Sequence, residues 1–348
     1  MRGLSRSWLT LSRRPNRAGM VASVACLWAL GCRDVASPAA VDAPVTTAAD
    51  APLTADPDGP AGEYPPPDDD LVPAVGSAST LEVGAWNIEN FPCGQAPGCR
   101  DNTEATIKVV ADIIASMEID VLAVEEIASV EAWNELLARL PGYEGRLSAH
   151  TYNDGTYQKV GVIFRTSVVS VPSMKLLFND SAHDYDLPRP PLELQVAVND
   201  AEVAFTMIVV HLKAGTGYED QQRRRAASEL LEQHVYDLVS GGDSNVIVLG
   251  DFNNEIDSDE PEERMVLDAW LSRPDSYSFA TQALADGGAF SFVPSHVLLD
   301  QIVTTASLGD ERAGGTTVIP RLDQAANIFN YVDGVSDHLP VATTMPIF

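Results

Sequence analysis

A small set of polar residues stands at the ends of apolar stretches. Leu-Glu-Val-Gly-Ala-Trp runs into Asn87-Ile88-Glu89-Asn90, and Val-Leu-Ala-Val into Glu125-Glu126. Phe-Thr-Met-Ile-Val-Val ends in His211, and Val-Ile-Val-Leu-Gly in Asp251-Phe252-Asn253. Asp300 interrupts another apolar stretch, and Asp337-His338 stands immediately before the last one. A single Asp or His in such a place is ordinarily a turn or cap residue. Six ends carrying Asn, Glu, His, Asp, Asn, Asp, Asp and His fit a site assembled where loops leave a rigid sheet. Carboxylate and carboxamide oxygens suit a hard divalent cation such as Mg2+ or Mn2+, with Ca2+ as a further option, and no zinc-type Cys/His cluster is present. A histidine beside a carboxylate supplies a general base or acid near neutral pH. That combination suits hydrolysis of a phosphoester by an activated water, with cation and amides stabilising charge on phosphorus.

These residues need a scaffold of strands. Stretches of strand length recur at Leu81–Trp86, Asp120–Val124, Val160–Phe164, Leu192–Val198, Ala204–Val210, Asn245–Leu249, Val297–Val303 and Leu339–Met345. Several are nearly continuous in Val and Ile, as in sheets buried on both sides. Helical periodicity lies between them, over Thr103–Met117, over Val130–Leu140 with Ser129 as cap, and over Gln222–Val239 with Ala227, Leu230, His234 and Leu238 on one stripe. Strands interspersed with helices predict an α/β or α+β layered domain over residues 81–348.

The strings Trp86-Asn87-Ile88-Glu89-Asn90, Glu126, His211-Leu212-Lys213, Gly250-Asp251-Phe252-Asn253, Asp300 and Ser336-Asp337-His338 together resemble the endonuclease/exonuclease/phosphatase superfamily, and the resemblance spans essentially all of 81–348. It implies a four-layered sandwich of two packed mixed β-sheets flanked by helices, with the site at one end. It implies that Asn87 and Glu126 help hold the metal, with Asp337 nearby. Glu126 is preferred over Glu125 because the family places its metal Glu one position after a Gln. His338 would activate water and Asp300 orient its ring. His211 would serve phosphate or leaving group, Asp251 and Asn253 would position water, phosphate or a second metal, and Arg189 would contact the phosphate. Gln301 departs from the His or Tyr that many members carry after the Asp.

Other signals are weaker. Arg223-Arg224-Arg225 cannot share one helical face and reads as the solvated start of a helix. The acidic run around Asp257–Glu263 lacks the glycine and spacing of an EF-hand and reads as a solvated loop. Cys93 and Cys99 flank a turn-rich Gly-Gln-Ala-Pro-Gly segment that would allow a disulfide.

The N-terminus has five arginines ahead of the uncharged run Met20–Gly31, the order of a secretory signal and too short to span a bilayer. It ends in Ala29-Leu30-Gly31-Cys32, which resembles a bacterial lipobox. Residues 1–32 are therefore expected to be a signal peptide with Cys32 as lipid attachment, the alternative being an ordinary signal cut nearby. Residues 33–80, rich in Ala, Pro, Asp and Thr, read as a disordered acidic tether. The expected protein is exported, either a lipoprotein on the outer membrane (periplasmic or surface side) or secreted, touching membrane through lipid only, and monomeric.

The net charge of −28 over 348 residues disfavours a broad basic face for holding nucleic acid. A metal-dependent nuclease is the leading expectation, with nucleic acid as a weakly held substrate. A phosphodiesterase or phosphatase on a lipid or small phosphoester is the alternative. A catalytically silent surface-binding module is disfavoured, because it has no chemical use for the whole set of polar residues.

Overall fold

The computed structural model describes residues 53–54, 64–92, 103–152, 154–258 and 260–348. They belong to one unit, residues 49–348. Thirteen strands appear among them: β1 Leu53–Thr54, β2 Leu81–Phe91, β3 Val121–Ile127, β4 Tyr143–Leu147, β5 Lys159–Arg165, β6 Val169–Leu176, β7 Leu192–Val198, β8 Ala204–His211, β9 Val246–Asp251, β10 Tyr277–Phe279, β11 Asp300–Thr305, β12 Thr317–Val318 and β13 Val341–Met345. The longer helices are α1 Thr103–Met117, α2 Val130–Ala138 and α3 Tyr218–Ser240.

The strands make a seven-stranded sheet in the order β1-β4-β5-β3-β2-β13-β12 and a six-stranded sheet in the order β10-β11-β9-β8-β7-β6. One buried cluster joins Val83, Ala85 and Val121 of the first sheet to Leu194, Met207 and Leu249 of the second. A second lies between the first sheet and α1 and α2, around Trp86, Ile107 and Trp133. A third lies between the second sheet and α3, around Ile208, Leu231 and Trp270. The molecule is thus a sandwich of two mixed sheets flanked by helices. Burial on both faces explains why these strands read as unbroken apolar runs.

The topology brings the polar strand ends together. β2 runs parallel to β3, with α1 between them in sequence, and β8 runs parallel to β9, with α3 between them. Parallel neighbours require such crossovers. Their carboxyl ends carry Asn87, Glu126, His211 and Asp251. β11 runs antiparallel to β9 in a register that sets Asp300 opposite Asp251. β13 pairs antiparallel with β2, Val341 opposite Ala85, so the residues just before it reach the end of β2.

Three expectations change. The segment 64–80, read as tether, lies on the domain: Asp68 N donates to Asp112 Oδ1 at 3.0 Å, Leu71 N to Ser116 Oγ at 2.9 Å, and Val72 is buried in the α1 cluster. Asp112 and Ser116, polar side chains within α1 that composition does not single out, hold it. Strands β1, β4, β6, β10 and β12 escaped the sequence reading; β6 alternates buried and exposed residues, and its pairing is irregular between Ser170 and Ser173, around Pro172. On α3 the buried face is Arg224, Ala227, Ser228, Leu231, Glu232 and Val235, so Leu230, His234 and Leu238 lie beside the core stripe.

Candidate active site

Two irregularities shape the floor of the site. The β2–β3 pairing shifts between Asn87 and Phe91, and the β3–β5 pairing between Val124 and Ile127. Glu89, Asn90, Glu126 and Asn253 all take positive φ, at 38°, 49°, 61° and 51°. Such backbone is unfavourable for side-chain-bearing residues and marks a segment held by its surroundings. Regular alternation would send the consecutive residues Glu125 and Glu126 to opposite faces. The bulge instead turns Glu126 into the site while Glu125 goes beneath it.

His338 and Asp300 form the central pair. His338 Nδ1 lies 2.8 Å from Asp300 Oδ2, and both residues are buried. Asp251 Oδ2 lies 3.8 Å from the other ring nitrogen, and ligand atoms of Asp251, Asp300 and His338 all fall within 4.8 Å of one another. Burial opposes a charge on the His338 ring, yet Asp300 and Asp251 raise its pKa well above the ordinary value. His211 behaves oppositely. Burial, helped by Arg189 and His338, holds its pKa well below the ordinary value. Its Nε2 lies 3.6 Å from both Glu126 Oε1 and Asp251 Oδ2. The two histidines of the site are thus biased in opposite directions.

Around them, Asn87 Nδ2 donates to Glu126 Oε1 at 3.2 Å and to Asp251 Oδ2 at 3.1 Å. Asn253 donates to Asp251 through N at 2.7 Å and Nδ2 at 3.1 Å, and to the Leu212 carbonyl at 3.2 Å. Asp337 N donates to Glu89 Oε2 at 3.2 Å. Burial pushes the Asp337 carboxyl up to about 7, with Glu89, Glu126 and Asp251 adding to the effect. Burial also raises Asp251, to about 6. The backbone that carries His338 is fixed by Ser336 Oγ donating to the Asn87 carbonyl at 2.6 Å, and by Trp86 Nε1 and the Tyr331 hydroxyl, which both donate to the His338 carbonyl.

The structure therefore brings together Asn87, Glu126, His211, Asp251, Asn253, Asp300, Asp337 and His338, and adds groups that sequence left without a role. Glu89 supports Asp337. Gln158 Nε2 donates to Glu126 Oε2 at 3.1 Å and to Asn90 Oδ1 at 2.8 Å. Glu125 is fully buried, and neither carboxylate oxygen has a hydrogen-bond partner among the described residues. Burial, then Asp300 and Asp251, push it well above the carboxylate range. Arg189 is turned inward: Nε donates to the His211 carbonyl at 3.1 Å, Nη2 to the Leu212 carbonyl at 2.7 Å, and Nη1 to Gln158 Oε1 at 3.0 Å. Gln301 is buried as well, donating to the carbonyls of Asn254 and Leu298 and accepting from Thr281. Cys32, Cys93 and Cys99 lie outside the described residues.

The donor set fits a hard cation. Glu126, Asp337 and Asp251 supply carboxylate oxygens, buried Asn87 lies against them with its Oδ1 accepting from Glu89 N at 2.9 Å, and these acids outnumber the one histidine whose pKa is raised. A sequence model of the Endonuclease/Exonuclease/phosphatase family matches residues 84–338, which encloses every one of these residues. The chain belongs to that family. Among solved structures, it is similar to the human Nocturnin catalytic domain at 20% identity, with 80% of this chain and 98% of that chain covered and a TM-score of 0.56. It is similar to D. rerio TDP2 complexed with single-strand DNA product at 14% identity, covering 76% and 98%, with a TM-score of 0.53. It is also similar to a mannosyl-6-phosphatase from Bacteroides thetaiotaomicron at 15% identity, covering 76% and 98%, with a TM-score of 0.55. No curated protein matches the chain in sequence. At these identities the neighbours establish a shared endonuclease/exonuclease/phosphatase fold.

Proposed function

We propose that this member of the family is a divalent-metal-dependent phosphodiesterase that attacks with an activated water, and that its substrate is nucleic acid. The observation that carries the reading is the buried His338–Asp300 pair at 2.8 Å with Asp251 beside the free ring nitrogen. His338 Nε2 takes the proton of the attacking water, and Asp300 fixes the ring's tautomer and balances the charge formed. Asn253 and Asn87 present amides for the phosphoryl oxygens, and neutral His211 approaches the phosphate or leaving group. Glu126, Asn87 and Asp337 would hold Mg2+ or Mn2+. Such an ion supplies Lewis acidity to the phosphoryl group and neutralises the carboxylates that otherwise keep His338 charged.

A second reading has its own support. Arg189 is spent on backbone carbonyls and the chain carries a net charge of −28, which favours a small phosphoester over a polyanion. The test incubates the purified protein with Mg2+ or Mn2+ and, separately, supercoiled plasmid, linear DNA, RNA, sphingomyelin, an inositol phosphate and a sugar phosphate, beside His338→Ala. Cleavage abolished by chelator and by the substitution is expected. Turnover indifferent to both overturns the mechanism, whereas turnover of the small esters alone replaces nucleic acid by the second reading.

Export belongs to the same proposal: residues 1–32 direct secretion, Cys32 takes lipid, and Cys93 pairs with Cys99. The order of basic, apolar and small residues supports it. Mass spectrometry of the mature chain from a bacterial host checks the new N-terminus and the thiol count together.

A further inference from the structure

The five carbonyls that follow the catalytic end of β8 are each held by a polar side chain. Arg189 takes His211 and Leu212, Asn253 also takes Leu212, and Lys213 Nζ takes Ala214 at 2.8 Å. Arg224 takes the remaining two, its Nη1 donating to the Lys213 carbonyl at 3.0 Å and to the Gly215 carbonyl at 2.7 Å. Arg224 stands in the second turn of α3 and is 1% exposed. Among the described residues its Nε has no hydrogen-bond partner and no carboxylate forms an ion pair with its guanidinium. A buried guanidinium without a carboxylate carries a desolvation cost of several kcal/mol. Here the return on that cost is two carbonyls of the turn that leaves the site, together with a charge whose field reaches Glu263, Asp220 and Asp251. Besides Arg224, the Lys213–Asp220 ion pair at 3.2 Å ties this turn to α3, and Leu212 N donates to the Asp251 carbonyl at 2.9 Å. Lys213 is partly exposed and Gly215 takes a φ of 115°.

We infer that Arg224 is a positioning residue for the reaction: by locking the Lys213–Gly215 turn to α3, it holds His211 in register with Asp251 and Glu126. This rests on the phosphoester hydrolysis proposed above. The arginine cluster 223–225 therefore divides by function. Arg223 lies over the Tyr185 ring at 4.4 Å and Arg225 pairs with Glu229 at 3.0 Å, both at the surface, whereas Arg224 points inward.

The experiment compares wild type, Arg224→Met, which keeps the bulk of the side chain without its donors, and Arg224→Lys, which keeps the charge and can reach one carbonyl. Two readouts are taken on the full chain: hydrogen exchange, and kcat and KM for bis(p-nitrophenyl) phosphate with Mg2+. For Arg224→Met, kcat is expected to fall about 10- to 100-fold with KM within about twofold, as misplacement of a reacting group by about 1 Å produces. Protection is expected to drop in peptides covering 211–217 while those covering β2, β3 and β9 keep theirs. Arg224→Lys is expected to recover part of both. Wild-type kcat in folded Arg224→Met overturns the inference, and so does a rise in KM alone, which would mean contact with substrate. Loss of protection across the whole second sheet also overturns it, since that is a purely structural role. If Arg224→Met does not fold, Arg224→Lys decides, wild-type kcat and wild-type exchange in the turn being the contrary result. A wild-type chain that hydrolyses no phosphoester overturns the proposed function, while the exchange data still show whether Arg224 holds the turn.

Discussion

His338 is useful only because of what stands on each side of its ring. Asp300 is fully buried, and while its Oδ2 meets Nδ1, its Oδ1 has no partner among the described residues. The aspartate is therefore committed to the imidazole and not shared with a wider network. Asp300→Asn keeps the shape and removes the charge. It is expected to lower kcat by about 10^2- to 10^4-fold with little change in KM, the range that a general base and its orienting partner supply. Thermal melting of the same variant is expected to change little, because loss of the buried pairing with His338 is offset by relief of the repulsion between Asp300 and Asp251. A variant with wild-type kcat would show that His338 works without Asp300. Melting well below wild type would show that the pair is structural.

At the scale of elements, the site is made by departures from regular strands. β9 ends in Gly250-Asp251, and Gly250 has a φ of 130°. A Cβ there would lie 2.1 Å from the Val210 carbonyl and 2.8 Å from Glu125 Oε1. Only glycine lets β9 pass over the buried glutamate and still present Asp251 beside His211. Gly250→Ala combines a forbidden backbone with a collision against main chain, and is expected to cost more than about 2 kcal/mol in urea denaturation. A loss below about 0.5 kcal/mol would mean that the strand relaxes easily and that the close approach is incidental. The bulge at Glu126 has the same character. It places two consecutive acids in different surroundings, one at the mouth and bonded to Asn90, Gln158 and Asn87, the other enclosed.

Over the whole molecule, acidity is managed differently at the two ends of the strands. At the site Glu125, Asp251 and Asp300 are buried close to His338. At the far end Glu82 and Asp120 sit together, and Glu82 also accepts hydrogen bonds from Thr80 Oγ1 and Ser77 N, which tie the segment 64–80 to β2. Burial, then the neighbouring Asp120, push Glu82 up to about 8 from its ordinary 4.5. Between these values the folded chain holds a proton that the unfolded chain has released. Stability from this group is thus complete below about 4.5 and is lost as pH rises through about 8. Tyr143, Glu118 and Arg165 surround Asp120 and complete the cluster. Urea midpoints at pH 5.5, 7 and 8.5 are expected to fall less steeply for Glu82→Gln than for wild type, and parallel profiles would remove Glu82 as the source. Net charge belongs to this scale too. Five of the 22 Lys and Arg precede residue 33, so a processed chain is more acidic than −28 implies. A polyanionic substrate must then be met through screening and metal.

The sequence by itself determined which polar groups meet at the candidate site. Asn87, Glu126, His211, Asp251, Asn253, Asp300, Asp337 and His338 are legible because strands buried on both faces are almost wholly apolar, so a polar residue at their ends stands out. The same contrast made most strands, the main helices and the layered class legible. Tertiary structure decided what depends on partners distant in the chain. It turned Arg189 and Arg224 from apparent phosphate contacts and solvated charge into holders of carbonyls. It separated Glu125 from Glu126 by a bulge, brought Gln158 and Glu89 to the site, and laid 64–80 on α1. None of these leaves a periodic mark, because a backbone carbonyl that accepts from an arginine belongs to any residue type, and a bulge is set by the register of three strands at once.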